Sequence, residues 1–185
     1  MWAIKISNLY NIINHRSDKM ELLDVYNHNG EKTGKIIPRG TKDEEFGDDE
    51  HIAVAIIYIE NSEGEFLIQK TSPEKGGIYS STGGHVVHGE TPLETIIRET
   101  KEEIGLDISN EDIIELGHIC VDFPVRFIFY LKRDINISDL MLDKNEVESM
   151  HYFNQEELKQ IIERGKMHKG HIFVLQKVLE YTKSN

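Results

Sequence analysis

Between residues 51 and 60 the chain reads HIAVAIIYIE, rich in β-branched side chains and apolar at both alternating sets of positions towards its middle. That pattern predicts a strand buried on both faces. Asn61-Ser62-Glu63-Gly64 predicts a turn into EFLIQKT (65–71), a strand returning antiparallel to the first. Upstream, ELLDVYN and KTGKIIP flank Asn29-Gly30, a pair suited to the positive φ of a tight turn, so residues 21–38 read as a hairpin. TKDEEFGDDE (41–50) holds six acids and one glycine and reads as a solvated loop. Downstream, SPEKGG (72–77) is a loop and IYSSTGGHVV a short, extended, glycine-interrupted stretch. IIELGHICVDF and VRFIFYLKR predict two strands broken near Pro124, and VESMHYF a last short one.

Three segments carry helical spacing instead. From about Pro92 to Ile104, Leu93, Ile97, Thr100 and Ile104 fall on one stripe with Ile96 beside it. Thr91 suits the N-cap, Pro92 the first helical position, Glu94 the capping box and Gly105 the left-handed terminus. Two more helices close the chain near 155–164 (Leu158, Ile161, Ile162) and 169–182 (Ile172, Leu175, Leu179). Strands outnumber helices and one helix lies mid-chain, so the fold class is α+β, a mixed-sheet α/β/α sandwich.

No repeat, proline-rich linker or low-complexity tract divides the 185 residues, which suit one domain. We read 1–19 as an N-terminal extension, either an added helix or a segment upstream of a chain starting at Met20, and 20–185 as the domain. A single cysteine, Cys120, excludes a disulfide scaffold and a multi-cysteine zinc site, and points to a reduced, cytoplasmic compartment. It sits in an apolar run and reads as a small core residue. No apolar run approaches the roughly 18 residues of a membrane span, and the amino terminus lacks signal-peptide character. Thirty-three acids against 21 basic residues give a formal charge of −12, which argues against a nucleic-acid polymer as partner. It leaves room for a small phosphorylated substrate, because bound cations invert a local field.

The mid-chain helix concentrates the chemistry. Glu99, Glu102 and Glu103 share one arc as i, i+3 and i+4 neighbours. Like charges at that spacing repel by a few tenths of a kcal/mol per pair in an isolated helix. Divalent cations reverse the sign, since hard oxygen donors suit Mg²⁺ or Mn²⁺. On its own, the cluster is more commonly the pattern of a solvated acidic face. The wider spacing decides. Gly84, five residues, Glu90, seven residues, Arg98-Glu99, then Glu102-Glu103, Gly105 and Leu106 reproduce the Nudix box, G-x5-E-x7-R-E-U-x-E-E-x-G-U. Thr100 alone departs, at an apolar position on the inward stripe, which we read as a packing change.

The resemblance implies a Nudix fold with the box as loop–helix–loop, and an enzyme that hydrolyses a nucleoside diphosphate linked to another moiety or a related small phosphorylated metabolite. It implies that Glu99, Glu102 and Glu103 hold divalent ions, with a backbone carbonyl at Gly83 or Gly84 as a further ligand. It implies that Arg98 orients Glu99 and that Glu90 braces the loop through Arg98. The general base would be a box glutamate or an acid on a later loop, with Glu146 ahead of Glu148 there.

Among other residues, His85 reads as loop-ordering or substrate-facing and His88 as solvent-exposed. Lys70 and Lys75 flank the 72–77 loop and are candidate phosphate contacts, while His168 and His171 show no metal spacing. Two other readings stand. One is an activity like isopentenyl-diphosphate isomerase, whose opening strand pattern LLDVYNHNG shares and whose metal histidine His85 matches. That enzyme, however, has a cysteine where Gly83 stands, and a degenerate box. The other is a non-catalytic nucleotide-sensing module, although such modules usually lose box carboxylates. Substrate-specifying loops would lie at 41–50, 72–79 and 134–146, and the chain would be a monomer or homodimer.

Overall fold

The computed structural model describes residues 21–184, so the 1–19 extension lies outside the described residues. Strands β1 (Leu22–Tyr26) and β2 (Lys32–Pro38) pair antiparallel as a hairpin standing apart from the main sheet. The Asn27 side chain caps the turn by accepting from the backbone N–H groups of Asn29 and Glu31, and Gly30 takes φ +76°.

The main sheet has β5 (Tyr79–Ser80), β4 (Phe66–Thr71), β3 (Ala53–Glu60), β8 (Val125–Lys132) and β7 (Ile114–Cys120) in that order, with β6 (Thr82–His85) and β9 (Val147–Phe153) joined to it. β3 runs parallel to β8 over eight register positions. The expected β3–β4 hairpin forms, but only Ile59↔Leu67 and Glu60↔Phe66 pair before the strands part. β6 fills the opened edge of β3 from Val54↔His85 to Ile57↔Thr82, while β4 turns to β5 and β9. The sheet therefore forks, and a cleft opens at the fork.

Alternation along β3 and β8 sorts two cores. Ala55, Ile57, Ile59, Phe127, Phe129 and Leu131 face α1 (Pro92–Ile104), meeting its Ile96 and Ile104. Ile56, Tyr58, Ile128 and Tyr130 face α2 (Gln155–Glu163) and α3 (Lys169–Ser184), meeting Leu158, Val174, Leu175 and Val178. This is the expected α/β/α sandwich. Two stripes are rotated from expectation. On α1 the buried line runs through Ile96, Thr100 and Ile104, with Leu93 and Ile97 only partly covered. On α3 Val174 and Val178 are fully buried, while Ile172 and Leu179 are peripheral. Thr100 is fully buried, its hydroxyl donating to the Ile96 carbonyl at 2.6 Å, so the departure from the box motif costs no unpaired polar group.

The acidic 41–50 loop is not wholly solvated: Phe46 packs with Leu23, Val25 and Ile37 in a third, small core. Cys120 is only partly buried, because β7 is the sheet edge. Among the described residues, no helix is long and apolar enough to cross a membrane.

Candidate active site

A cleft of about 740 Å³ opens at the fork, lined on one side by Arg98, Glu99, Glu102 and Glu103 of α1 and by Gly83, Gly84 and His85 of β6. The helix is placed by its ends. Thr91 Oγ1 accepts from the Glu94 N–H at 3.2 Å, and Glu94 Oε2 accepts from the Thr91 N–H at 2.8 Å. At the other end Gly105 takes φ +71°, and a Cβ there would lie 2.8 Å from Met141 Cβ. This close approach lets the loop between β8 and β9 dock on the helix terminus: Met141 N–H donates to the Ile104 carbonyl at 3.0 Å and Asp143 N–H to the Glu103 carbonyl at 2.9 Å. Glu146, on the same loop, is thereby held in the cleft.

The two glycines of β6 explain how carboxylates borne on a helix reach across a sheet edge. A Cβ on Gly84 would sit 2.1 Å from Glu99 Oε1, and one on Gly83 only 2.4 Å from the Ala55 carbonyl oxygen. Only backbone fits at either position, leaving the peptide groups of β6 close beside the carboxylates.

Arg98 organises the rest. Its Nε and Nη2 donate to the two oxygens of Glu90 at 2.8 and 3.1 Å, and its Nη1 donates to Glu99 at 2.9 Å and Glu102 at 2.8 Å. Glu90 also accepts from Thr95 Oγ1 at 2.8 Å, so the loop before α1 is tied to its second turn. Burial works against the Arg98 charge, yet Glu90, Glu99 and Glu102 outweigh it and raise its pKa. Glu90 stands outside the cleft lining.

The three clustered glutamates are not equivalent. Glu102 is exposed, Glu99 mostly covered and Glu103 only 9% exposed. Burial raises the Glu99 pKa, partly offset by Arg98. Burial, followed by the nearby Glu99 charge, pushes Glu103 up to about 8. A largely buried pair of carboxylates that repel each other is a poor arrangement for an isolated protein and a favourable one around a cation. Among the described residues no three acidic, histidine or cysteine side chains are already closed around one point. The side-chain donors are nevertheless all hard oxygen, from Glu99, Glu102 and Glu103, and the β6 backbone lies against them, the Gly83 N–H donating to Glu103 Oε2 at 3.4 Å. Such a donor set fits a divalent ion such as Mg²⁺ or Mn²⁺.

The other sequence candidates divide. His85 lines the cleft, its pKa lowered by burial and by Arg39. His88 is exposed and bonded to Asp24 at 2.8 Å. Lys75 lines the cleft and pairs with Glu146 at 3.0 Å. Lys70 does not reach it, because β9 lies beside β4 and supplies Glu148 as its partner at 2.8 Å. The structure also brings in residues that the sequence did not single out. Arg126 of β8, His168 and His171 form the far wall, Asp143 lies beside Glu146, and Glu21 and Arg39 close the rim from the hairpin as a pair 2.6 Å apart. None stands at a recognisable spacing; only the parallel β3–β8 register, which sets Arg126 beside Val54, points to the first of them.

A NUDIX domain model matches residues 49–176. An uncharacterized Nudix hydrolase of Listeria monocytogenes is 31% identical over 156 residues, 79% of this chain and 87% of that protein. An asymmetrical bis(5'-nucleosyl)-tetraphosphatase of Mus musculus is 32% identical over 129 residues, 63% of this chain and 84% of that one. Among solved structures, protein DR0079 of Deinococcus radiodurans superposes with a TM-score of 0.68 at 23% identity, covering 85% of this chain and 97% of that chain.

Proposed function

The chain belongs to the Nudix hydrolase family, and we propose that it cleaves the diphosphate linkage of a nucleoside diphosphate joined to a further group, or of a related small phosphorylated metabolite, with Mg²⁺ or Mn²⁺. The observation that carries this reading is the meeting of Glu99 and Glu103 against the Gly83–Gly84 backbone of β6, with Glu99 under the hold of Arg98. A diphosphate resists attack because its oxygens repel a nucleophile. A bound divalent ion supplies charge neutralisation and a coordinated water of lowered pKa.

The protein's part is positional. Glu99, Glu102 and Glu103, with the Gly84 carbonyl, hold the cation, and Arg98 orients Glu99 and Glu102 without touching substrate. Glu146, fixed by the docking of its loop on α1, accepts the proton of the attacking water. Lys75 and His85 face the substrate at the cleft walls. The Mus musculus relative, named for a dinucleoside polyphosphate, supports a substrate of this class.

The geometry also weighs against isomerase chemistry. A side chain at position 83, where the isomerase resembled above bears cysteine, would collide with the Ala55 carbonyl. The test is a panel of nucleoside-diphosphate derivatives with Mg²⁺ or Mn²⁺, run alongside isopentenyl diphosphate. Hydrolysis that disappears in Glu103→Gln while the protein stays folded is the expected result. Undiminished turnover by that variant overturns the metal assignment, and isomerisation of isopentenyl diphosphate overturns the reaction class.

A further inference from the structure

We propose that Arg126, flanked by His168 and His171, is an anion receptor that holds the phosphoryl group of the substrate not engaged by the α1 glutamates, an assignment that takes only the identity of the anion from the hydrolase reading. Arg126 is 6% exposed. It stands beside Val54 of β3, which has His85 on its other side, so Arg126, Val54 and His85 make one row across the cleft floor. Two strand spacings, roughly 10 Å, separate the ends of that row.

The guanidinium is only half used by the protein. Its Nη1 donates to the carbonyls of Val121 and Pro124. Among the described residues its Nε and Nη2 donate to nothing, and it forms no ion pair. The start of α3 is bare where the guanidinium lies against it: a Cβ on Gly170 would be 2.9 Å from Nε and 3.2 Å from Nη2. A buried cation without a counter-ion is costly. Among the described residues no carboxylate hydrogen-bonds to Arg126 or pairs with it; Asp122, just before the strand, favours its charge through space, but burial outweighs that and lowers its pKa. A buried charge that no described carboxylate contacts matches an anion that arrives from outside, and the Nε–Nη2 edge, which bonds nothing among the described residues, presents the fork that suits two phosphate oxygens.

The two histidines extend the donor set without adding charge. His171 Nδ1 accepts from the Ser81 N–H at 3.2 Å and lies 2.8 Å from Ser81 Oγ, while His168 Nδ1 accepts from the Gly170 N–H at 3.2 Å. Backbone N–H groups can only donate, so each neutral ring carries its proton on Nε2. Burial, His168 and Arg126 push His171 down to about 3, and burial with Arg126 lowers His168, which keeps both rings neutral donors at pH 7. The cleft thus has an acidic, cation-binding wall on α1 and a donor wall on β8 and α3, with room between them for the two ends of a diphosphate.

The test is isothermal titration of the full chain with methylenediphosphonate in the presence of Mg²⁺, with Mn²⁺ binding measured separately by electron paramagnetic resonance. Arg126→Gln is expected to raise the methylenediphosphonate dissociation constant at least tenfold, with Mn²⁺ affinity within twofold of wild type and KM rising more than kcat falls. Arg126→Lys, which keeps charge but not the fork, should restore only part of the binding. Should Arg126→Gln fail to fold, His168→Ala, at an exposed rim position, decides through an expected loss of about fivefold. Binding within twofold of wild type in the folded variant overturns the receptor. Arg126-dependent binding by a protein that hydrolyses nothing in the panel upholds the receptor and removes the hydrolase reading, and turnover with Arg126-independent binding does the reverse.

Discussion

Adding one methyl group to Gly84 separates the fold from the site. Position 84 has no positive φ, so alanine suits the backbone, and β6 keeps its pairing with β3. The new Cβ, however, would sit 2.1 Å from Glu99 Oε1 and 2.3 Å from its Cδ, where ordinary contact begins at 3.4 Å. The Glu99 carboxylate must therefore retreat by about 1.3 Å. It can do so, being the far end of a side chain, but only by loosening its 2.9 Å bond from Arg98. Misplacement of a catalytic group by about 1 Å costs on the order of 10²-fold in rate, equivalent to roughly 2.7 kcal/mol of transition-state stabilisation. The cost to stability should be no more than about 1 kcal/mol, the worth of one loosened hydrogen bond. Steady-state kinetics on the best panel substrate, Mn²⁺ titration and thermal denaturation of Gly84→Ala report the three quantities. Weakened Mn²⁺ binding and a hundredfold fall in kcat/KM, with Tm within a few degrees of wild type, are expected. Wild-type turnover would refute the contact between β6 and Glu99, and a grossly unfolded variant would refute the claim that the side chain absorbs the clash.

Other outcomes follow from the same geometry. Glu103 titrates near 8 in the metal-free fold against an ordinary 4.5, so between those values the folded state retains a proton that the unfolded chain has released. In EDTA, the urea midpoint should fall as pH rises from 5 to 8, and Glu103→Gln should flatten the slope; equal slopes in both proteins contradict the burial argument. Glu146→Gln should lower kcat by about 10²- to 10⁴-fold, the usual contribution of a general base, with Mn²⁺ affinity unchanged; unaltered kcat assigns the base elsewhere. Thr91→Ala removes the N-cap of α1 at a cost of about 1 kcal/mol, seen as a Tm lower by roughly 2–4 °C. Its kcat/KM at 25 °C should match wild type, because the carboxylates lie beyond the first turn.

What was legible in the chain was local. Both ends of α1 can be read because Thr91, Glu94 and Gly105 meet needs that arise within a few residues, and the edges of β9 fall where VESMHYF begins and ends. The box glutamates are legible for the same reason, their spacing being a property of one helix. The fork in the sheet is not, since the departure of β4 from β3 after two pairs depends on competition from β6, β5 and β9 for the same edges. The far wall of the cleft is hidden similarly. Arg126 is the second residue of a strand that is apolar from there to Leu131, and it gains meaning only from Gly170, forty-four residues away. Lys70 shows the opposite error: a lysine next to the right loop, directed by the β4–β9 register to Glu148 instead of the cleft.

The hairpin of residues 22–38 is a small sheet set apart, and the two residues that flank it, Glu21 and Arg39, form part of the rim. The match to the family model begins only at residue 49. The parts proposed to hold a cation and the part that frames the entrance are thus separate stretches of polypeptide, stitched together by a few bonds such as His88 N–H to the Leu22 carbonyl and Asp24 to His88. Such a division allows the frame to be exchanged while the grip is inherited intact. The same reaction can then be offered to a different molecule by rewriting about thirty residues that do none of the chemistry.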